Sequence, residues 1–595
     1  MVSTESRLSY RVRVLPAQHE LDVEMTLTGV PGASDVKLAV PTWVPGAYGF
    51  MKYGRAIFDL RARDSSSGAA LPVTREGWSG WRVKTPGTAL TVQYRVSCYD
   101  PAWSELVGIV DSDQAILLGT NYLAPEGYRG PCSVSYALPE GWKVHHSSGA
   151  EGGSSGSWSY PSYRVLLDTP VVLGNFERFE RNVGGTTFHM VFMDRALGFE
   201  REAHGLMDAV ANVAKACHGI FGSFPFKDYT FIMSFSPLAR WGLEHVSATM
   251  IAFGDDGLID KDARARAVRL AAHELFHAWN VCTLRPAALA NPALDLLGGS
   301  FTESLWVAEG FTRYYEYLLS VRAGALPAED FLSNLVNFHR QLTAQPAYTR
   351  TSAVDSSLAT FLNHNRYPGS VNNSVDYYDL GMLIAFDMDI ILRTQKSPSS
   401  LDAEFAAFYA QYAKAEGGYT HAQFKEFFTR RCPALSEVFE RAVESAGGLR
   451  LEESFQKLGY RVEKQELPYL GIVLEQNERP VIANVLHDSP AGASGLASQD
   501  ELLKLNGFPY STRALRWCIA NEKVLHLEVR RGHRHLSFEV KPGTRWHVGK
   551  LTWAGTEAQA ALLREWFKLP GYVPTSGKEV ALSAYDNFHG IQTVL

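Results

Sequence analysis

The period of the hydrophobic pattern changes twice along this chain of 595 residues, and these changes limit the folds that it can adopt. Through about the first 180 residues, apolar side chains alternate with polar ones, as in 8–14, 21–27 and 92–98. Alternation with a period of two places the apolar side chains on one face of a β-strand, so this part predicts sheets with one buried face.

Beyond residue 200 the pattern becomes helical, with long alanine- and leucine-rich runs that contain few helix breakers. The predicted helices span 203–220, 263–283, 303–321, 329–342, 376–392 and 401–414. A strand-like run at 229–235 precedes the second of them, and strand-like patterns return from about residue 467. One more helix is predicted at 558–567.

These changes of pattern predict a multidomain α+β protein. We expect a β-rich N-terminal domain at 1–180, a mainly helical domain at 181–465, a compact β domain at 466–545 and a C-terminal extension at 546–595. A chain of this length exceeds the usual size of one domain, which agrees with several units.

Charge and composition exclude some classes of function. The net charge of -6 comes from 57 basic and 63 acidic residues, and no concentrated basic stretch indicates nucleic-acid binding. No apolar run has the length that a membrane helix needs, and the first residues lack the apolar core of a secretory signal. We therefore expect either a cytoplasmic protein or the mature form of a periplasmic or secreted one. The six cysteines show no CxxC spacing, which argues against a cysteine metal site.

The run HELFH, which begins at His273 and ends at His277, lies within a predicted helix. Histidines four positions apart project from one helix face, so both imidazoles can bind the same zinc ion. Glu274 lies between them in sequence, where its carboxylate can act as general base on a water molecule that the metal activates. The alternative is an ordinary buried helix with two hydrogen-bonded histidines.

A catalytic zinc site needs a third protein ligand and leaves its fourth position to water. Glu309 is the strongest candidate, because it follows His277 by 32 positions within the apolar run LWVAEGFT. A carboxylate in such surroundings is costly to bury unless a metal or a partner neutralises it. Glu303 and Glu316 are nearby alternatives, and Glu309 itself could instead be a surface residue at the foot of a helix.

An HExxH motif followed by a distant glutamate in the context W-x-x-E-G-F resembles the gluzincin, or thermolysin-like, zinc peptidases. The longer run HELFHAWNVCTLRP at 273–286 resembles the M61 family, the glycyl aminopeptidases, and the domain order is similar over nearly the whole chain. The resemblance implies one zinc ion, a gluzincin domain at 181–465 and a PDZ domain at 466–545. The segment PTWVPGAY at 41–48 is similar to a Trp-Pro-Gly-Tyr segment of that family, and forms either a packed turn or part of the active-site rim.

The run WGLEH at 241–245 resembles the G-x-M-E-N segment of zinc aminopeptidases, which lies along the substrate. The resemblance implies that Gly242, Glu244 and His245 bind substrate, although leucine replaces methionine and histidine replaces asparagine. A carboxylate beside the metal can hold a free α-ammonium group, so that only the first peptide bond reaches the metal. Glu244 is predicted to do so; its alternative is a structural ion pair, and His245 either binds substrate or supports its loop.

Tyr378-Asp379-Leu380-Gly381 resembles a Y-x-K-G segment whose tyrosine stabilises the tetrahedral intermediate. A phenol directed at the developing oxyanion donates a hydrogen bond that strengthens in the transition state. The glycine spacing favours Tyr378 over the adjacent Tyr377, and leucine stands where that segment has lysine. The alternative is an aromatic residue of the core.

The run Tyr469 to Ile472 resembles the carboxylate-binding loop of a PDZ domain, in which backbone N–H groups capture the C-terminus of a peptide. The alternative is a domain that only packs against the catalytic unit.

Three functions are therefore open. The first is a zinc aminopeptidase that acts on peptides with a free N-terminus and, by the resemblance, prefers small first residues such as glycine or alanine. The second is a zinc endopeptidase that holds its substrates through the PDZ-like domain, and the third is a metal-free scaffold that binds peptides. Blocking the substrate's amino group separates the first two, and a zinc assay tests the third.

Overall fold

The computed structural model describes residues 7–30, 34–43, 46–103, 106–147, 151–152, 156–193, 199–236, 241–254, 257–290, 297–360, 369–415, 417–475, 479–577 and 579–581. The chain divides into two compact units, one formed by Met1–Thr283 with Ala288–Ser300 and the other by Leu284–Ala287 with Phe301–Leu595. No helix in these described stretches is both long and apolar enough to cross a bilayer.

The first unit begins with a β-rich region that contains one eight-stranded and two four-stranded sheets. Its elements are β1 (Arg7–Leu15), β2 (Glu20–Thr28), β3 (Ser34–Ala39), β4 (Ile57–Asp64), β5 (Ala70–Leu71), β6 (Val73–Glu76), β7 (Gly80–Thr85), β8 (Ala89–Ser97), β9 (Ile109–Val110), β10 (Gln114–Leu117), β11 (Ala124–Pro125), β12 (Cys132–Ala137), β13 (Lys143–His146), β14 (Glu151–Gly152), β15 (Ser157–Tyr160), α1 (Tyr163–Leu167) and β16 (Val171–Gly174). The strand orders are β14-β15-β12-β1-β2-β8-β4-β5, β13-β16-β10-β9 and β11-β3-β7-β6.

The alternating pattern of the sequence is reproduced in the large sheet. Leu8, Tyr10, Val12 and Val14 of β1 are all buried, while the residues between them are exposed. β1 runs antiparallel to β2 and parallel to β12, so both of its edges are paired. The prediction of a β-rich N-terminal region is confirmed.

A second part of the first unit combines a five-stranded sheet with two long helices. Its elements are β17 (Glu177–Val183), β18 (Thr186–Phe192), α2 (Glu200–Phe221), β19 (Asp228–Ser234), β20 (Trp241–Glu244), β21 (Ala248–Ala252) and α3 (Lys261–Phe276). The strand order is β17-β18-β19-β21-β20, which makes β20 an edge strand. α3 packs against α2, β20 and β21. Asp260 caps α3, since its side chain accepts a 2.7 Å hydrogen bond from Ala263 N–H.

Helix α3 is shorter than the predicted 263–283, because the chain tightens into turns after Phe276. Ala278 and Trp279 donate their N–H groups to carbonyls three residues back, at Leu275 and Phe276. Such i→i+3 bonds are common at helix C-termini and allow the chain to change direction. The second histidine of the HELFH run therefore lies at the end of the helix.

The second unit is helical over most of its first half. Helix α4 (Ala287–Ala290) has only its first residue in this unit. The helices that lie wholly within it are α5 (Leu305–Ala308), α6 (Gly310–Arg322), α7 (Ala328–Ala344), α8 (Ala353–Leu358), α9 (Tyr377–Thr394), α10 (Leu401–Tyr412), α11 (His421–Arg431), α12 (Leu435–Val438) and α13 (Leu451–Lys457). The single helix predicted at 303–321 is divided into α5 and α6, and Glu309 is the residue that joins them. The helices predicted at 329–342, 376–392, 401–414 and 558–567 agree with the observed ones to within two residues, and the one at 203–220 agrees to within three.

Two glycines allow α9 to approach α6 closely. A Cβ on Gly310 would lie 2.4 Å from Cα of Gly381, and a Cβ on Gly381 would lie 2.2 Å from the carbonyl oxygen of Trp306. Because these contacts are with backbone, no side chain can be accommodated at either position without separating the helices. A buried ion pair between Arg313 Nε and Asp379 Oδ1, at 2.8 Å, joins the same two helices.

The rest of the second unit is rich in strands. Its elements are β22 (Tyr460–Tyr469), β23 (Ile472–Leu474), β24 (Ile482–Val485), α14 (Pro490–Ser494), β25 (Glu501–Leu505), β26 (Phe508–Pro509), α15 (Thr512–Asn521), β27 (Leu525–Arg531), β28 (Arg534–Val540), β29 (Gly543–Trp553) and α16 (Glu557–Phe567). β22 and β29 form a long antiparallel pair, and the predicted domain boundaries at 465 and 545 fall inside them. The division into four domains stays a prediction.

Helix α16 is part of the helical core of this unit. Trp566 is fully buried, and its indole N–H donates a 2.9 Å hydrogen bond to the hydroxyl of Tyr314 on α6. That hydroxyl donates to Asp389 of α9 at 2.6 Å, and the same carboxylate pairs with Arg393 at 2.9 Å. This network ties α16 to α6 and α9, so this helix, which lies within the predicted extension, is part of the core.

Candidate functional site

Helix α3 presents His273 and His277 on one face, as their spacing predicts. Both side chains are buried, and their Nε2 atoms lie 3.1 Å apart. Two nitrogens bound tetrahedrally to one zinc ion, at ordinary Zn–N lengths, would be about 3.3 Å apart. The observed separation therefore suits two imidazoles that share one ion.

The tautomer of His277 is set by the turn that ends α3. Its Nδ1–H donates a 2.8 Å hydrogen bond to the carbonyl oxygen of Asn280. The lone pair of the neutral ring is then on Nε2, which is the atom that faces His273. In metal-binding histidines, the ring nitrogen that does not bind the metal typically donates such a hydrogen bond, which fixes the orientation of the ring.

His273 and His277 are buried in the first unit, and Glu309 is buried in the second. Two imidazoles and one carboxylate are the donor set of many catalytic zinc sites. Glu303 is exposed and Glu316 is buried, and neither joins such a group in the part of the chain that is described. The residues present thus fit a zinc ion.

The carboxyl group of Glu274 lies directly against the backbone of the edge strand β20. A Cβ on Gly242 would lie 2.5 Å from Oε1 of Glu274 and 2.6 Å from its Cδ. Only glycine leaves room for the carboxylate here, because real Cβ contacts are rarely shorter than about 3.4 Å. The predicted general base and the predicted substrate strand are therefore in contact.

Glu244 lies two residues after Gly242 on the same strand, so both point to the same face. A ligand oxygen of Glu244, one of Glu274 and a ring nitrogen of His277 lie within 4.8 Å of one another, and all three side chains are buried. Two carboxylates this close repel each other, which makes the site favourable for a cation. Burial raises the pKa of the neighbouring Tyr229, and the charges of Glu274 and Glu244 add to this shift.

The segment at 41–48 contacts the site through Gly46, whose backbone has φ +86. A Cβ on Gly46 would lie 2.6 and 2.7 Å from the two carboxylate oxygens of Glu244. Trp43 in the same segment is buried. The segment therefore forms a packed turn and also touches the predicted amine anchor, whereas Val44 and Pro45 lie outside the described residues.

His245 contacts Asp168, a residue that no motif in the sequence indicates. Its Nδ1 lies 3.3 Å from Asp168 Oδ1, and the other oxygen of that carboxylate accepts a 3.0 Å hydrogen bond from Val246 N–H. His245 is buried, and its Nε2 has no hydrogen-bond partner within the described ranges. In the neutral tautomer with Nδ1–H directed at Asp168, the lone pair is on Nε2, which can then accept a hydrogen bond.

Tyr377 and Tyr378 begin α9, and the two phenols differ in their surroundings. Tyr377 is buried and its hydroxyl lies 2.9 Å from that of Thr360; burial raises its pKa, and the charge of Glu309 adds to the shift. Tyr378 is only half-buried, and its ring stacks on that of Tyr377 at 4.9 Å. The more accessible phenol is the one predicted to act, and its role stays a prediction.

Comparison with known proteins adds to this geometry. Residues 266–384 match the family model described as M61 glycyl aminopeptidase, and residues 9–175 match the Peptidase M61 N-terminal domain. No curated protein matches the chain. A crystal structure from Idiomarina loihiensis, described as an aminopeptidase N family protein, has a TM-score of 0.83 at 22% sequence identity, and the alignment covers 94% of this chain and 100% of that one. At this identity the likeness shows a shared fold.

Proposed function

The chain belongs to the M61 peptidase family, and from this premise we propose that it is a zinc-dependent aminopeptidase that removes the first residue from peptides. The family description names glycyl substrates, and a preference for a small first residue such as glycine or alanine is part of the proposal. His273, His277 and Glu309 are the proposed zinc ligands, and they fit that ion in donor type and burial.

The observation that carries the proposal is the group formed by Glu244, Glu274 and His277, whose ligand atoms lie within 4.8 Å of one another. One buried carboxylate beside a metal ligand suits a general base. A second buried carboxylate at the same distance has no role in water activation, but it can bind a cationic substrate group. The α-ammonium of a peptide is such a group, and binding it here would bring the first peptide bond to the base.

Each residue has a distinct task in this mechanism. A zinc ion, when bound, supplies Lewis-acid chemistry that polarises the scissile carbonyl and makes water more acidic. Glu274 takes a proton from the attacking water and transfers it to the leaving amine. Glu244 holds the substrate's ammonium group, His245 accepts a further hydrogen bond through Nε2, and Tyr378 donates one to the developing oxyanion. The backbone of Gly242 lines the same edge strand and can pair with the extended substrate.

The proposal extends to the strand-rich region at 466–545, which we take to be PDZ-like and able to hold the C-terminus of a peptide. Gly471 has φ +87, and its carbonyl accepts a 2.9 Å hydrogen bond from Leu486 N–H, so the loop at 470–472 has a fixed shape. β23 follows this loop and pairs with β24. An added peptide strand along β23 would place its terminal carboxylate at that loop.

The test compares hydrolysis of Gly-Ala-Phe with that of its N-acetylated twin by zinc-loaded protein, with products identified by mass. Release of free glycine from the unblocked peptide alone supports the aminopeptidase. Equal cleavage of both peptides would refute amine recognition and favour an endopeptidase. Glu274→Gln is the matched control, since it should keep its zinc and lose roughly 10²- to 10⁴-fold in kcat.

A further inference from the structure

Asn372 attaches the segment before helix α9 to the end of strand β24. Its side chain is buried, with 2% of its surface exposed. Its Oδ1 accepts a 2.9 Å hydrogen bond from His487 N–H, and its Nδ2 donates one of 2.9 Å to the carbonyl oxygen of Val485. Between these two residues, Leu486 donates its N–H to the carbonyl of Gly471 on the opposite side. The amide of Asn372 therefore takes the place that a neighbouring strand would occupy at this edge.

Two further contacts hold the same segment on the strand-rich region. The N–H of Gly369 donates a hydrogen bond to Oδ1 of Asn484, and the N–H of Asn372 closes a turn by donating to the carbonyl of Gly369 at 3.0 Å. Val371 packs against an apolar cluster formed by Val473, Ala483 and Leu486. Polar and apolar contacts thus dock residues 369–372 on the β23–β24 pair.

Only five residues separate Asn372 from Tyr378, the phenol proposed to stabilise the oxyanion. A hydrogen bond of 2.8 Å from Ser374 N–H to the carbonyl of Ser370 shortens this link. Asp376 then caps α9, since its Oδ1 accepts a 2.7 Å bond from the N–H of Tyr378. A short link that is hydrogen-bonded along its length transmits a displacement of Asn372 to the first turn of the helix.

A second anchor holds the segment on the helical side. Ser356 of α8 donates through its hydroxyl to the carbonyl of Val375, and both residues are buried. Tyr377 is also buried, whereas Tyr378 beside it is half-buried. Without the amide of Asn372, the segment that leads into α9 would be held from the helical side alone.

We propose that Asn372 is a positioning residue for Tyr378, and that the strand-rich region at 466–545 supports the first turn of α9 through this amide. The inference rests on the proposed role of Tyr378 in the aminopeptidase. A hydrogen bond to a developing oxyanion is most effective when its donor is already in place, so a loosened first turn weakens it. The strand-rich region thus contributes to catalysis whether or not a peptide is bound to it.

The test compares Asn372→Ala with Asn334→Ala in zinc-loaded protein. Asn334 is the matched control, because it is also buried but its Nδ2 donates to the carbonyl of Asp330 within α7, at 2.8 Å. We expect Asn372→Ala to lower kcat for Gly-Ala-Phe roughly tenfold and to change KM by less than about twofold, because the weakened interaction belongs to the transition state. Asn334→Ala should leave kcat unchanged, and both variants should keep their zinc.

Removing the phenol of Tyr378 separates positioning from general damage. In the Tyr378→Phe background, Asn372→Ala should lower kcat by less than about twofold, because the group that it positions is gone. An equal loss in both backgrounds, or a folded Asn372→Ala protein with wild-type kcat, would overturn the inference. If Asn372→Ala does not fold, Asn372→Asp takes its place in both backgrounds, since aspartate keeps an acceptor for His487 N–H and loses the donor to Val485.

Hydrogen exchange tests the contact without a catalytic readout. The backbone N–H groups of Tyr378 and Leu380 donate to Asp376 at 2.7 and 3.1 Å. They should exchange roughly tenfold faster in Asn372→Ala than in the wild-type protein, with no change in Asn334→Ala. Equal exchange in the wild type and Asn372→Ala would overturn the inference. Full activity of Tyr378→Phe, or no cleavage of Gly-Ala-Phe by the wild-type protein, would instead overturn the proposed function.

Discussion

Replacing Gly242 with alanine should displace the carboxylate of Glu274, the proposed general base, while leaving Glu274 itself unchanged. The new Cβ would lie 2.5 Å from Oε1, 2.6 Å from Cδ and 2.7 Å from Cγ of Glu274. The backbone of Glu274 cannot retreat, because it belongs to the buried helix α3 and its carbonyl accepts a hydrogen bond from the hydroxyl of Tyr229. The carboxyl group must therefore move by roughly 1 Å to reach an ordinary contact distance.

A displacement of this size has a large effect on proton transfer. Misplacing a catalytic group by about 1 Å costs on the order of 10²-fold in rate, which corresponds to about 2.7 kcal/mol in the activation barrier. We expect kcat to fall by about this factor. Zinc content should not change, because neither histidine of α3 contacts the added methyl group among the nearest atoms around position 242.

The assay measures kcat and KM for Gly-Ala-Phe, together with bound zinc and the thermal midpoint. Gly205→Ala is the control, since position 205 lies in α2 and a Cβ there would meet nothing within 4 Å. Gly242→Ala is then introduced into Glu274→Gln. If the methyl group acts through Glu274, the double variant should be no slower than Glu274→Gln alone. Full activity of Gly242→Ala, or a further 10²-fold loss in the double variant, would refute the reasoning.

The remaining predictions concern the metal, the histidine beside the amine anchor and the response to acid. Dialysis against a chelator should abolish hydrolysis and lower the thermal midpoint, and added Zn²⁺ should restore both, because a metal that binds only the folded protein stabilises it; an active, zinc-free protein would contradict this. Asp168→Asn should raise KM for the unblocked peptide roughly five- to tenfold with little change in kcat. The reason is that an amide, unlike the carboxylate, cannot accept hydrogen bonds from both His245 Nδ1–H and the adjacent backbone N–H through two oxygens. A fall in kcat alone would argue against substrate positioning. Burial lowers the pKa of His145 to about 3 and that of His146 to about 4, from an ordinary value of 6.5. Below pH 6.5 the unfolded chain therefore binds more protons than the folded one, and the free energy of unfolding should fall by up to about 1.4 kcal/mol per pH unit for each histidine between pH 6.5 and 4. Urea titrations should show this slope, and His146→Gln should reduce it; an unchanged slope in that variant would contradict the role of His146.

Much of the site follows from local sequence. The four-residue spacing of His273 and His277 dictates that they share a helix face, and their Nε2 atoms are 3.1 Å apart in the structure. The alternation at 8–14 likewise dictates a strand with one buried face. These predictions succeed because the period of a helix or strand relates neighbours in sequence directly to neighbours in space.

Other features were visible in the sequence but not interpretable from it. Gly310 and Gly381 are parts of the W-x-x-E-G-F and Tyr378-to-Gly381 motifs. The structure explains why glycine is needed at both positions, because the two residues face each other where α6 and α9 meet. The break at Glu309 between α5 and α6 could not be predicted, because the apolar pattern continues through it.

The sequence by itself determined the β-rich and helical regions, the pair of histidines and the glutamate between them. Each of these features depends on residues that are separated by less than about two helical turns in the chain. Tertiary structure alone decided which distant residues complete the site. Gly46 lies 198 positions before Glu244, and Asp168 lies 77 positions before His245. No periodic pattern links residues so far apart; their contacts arise only when separately formed sheets and hairpins pack, and packing depends on the shapes of all the side chains between them.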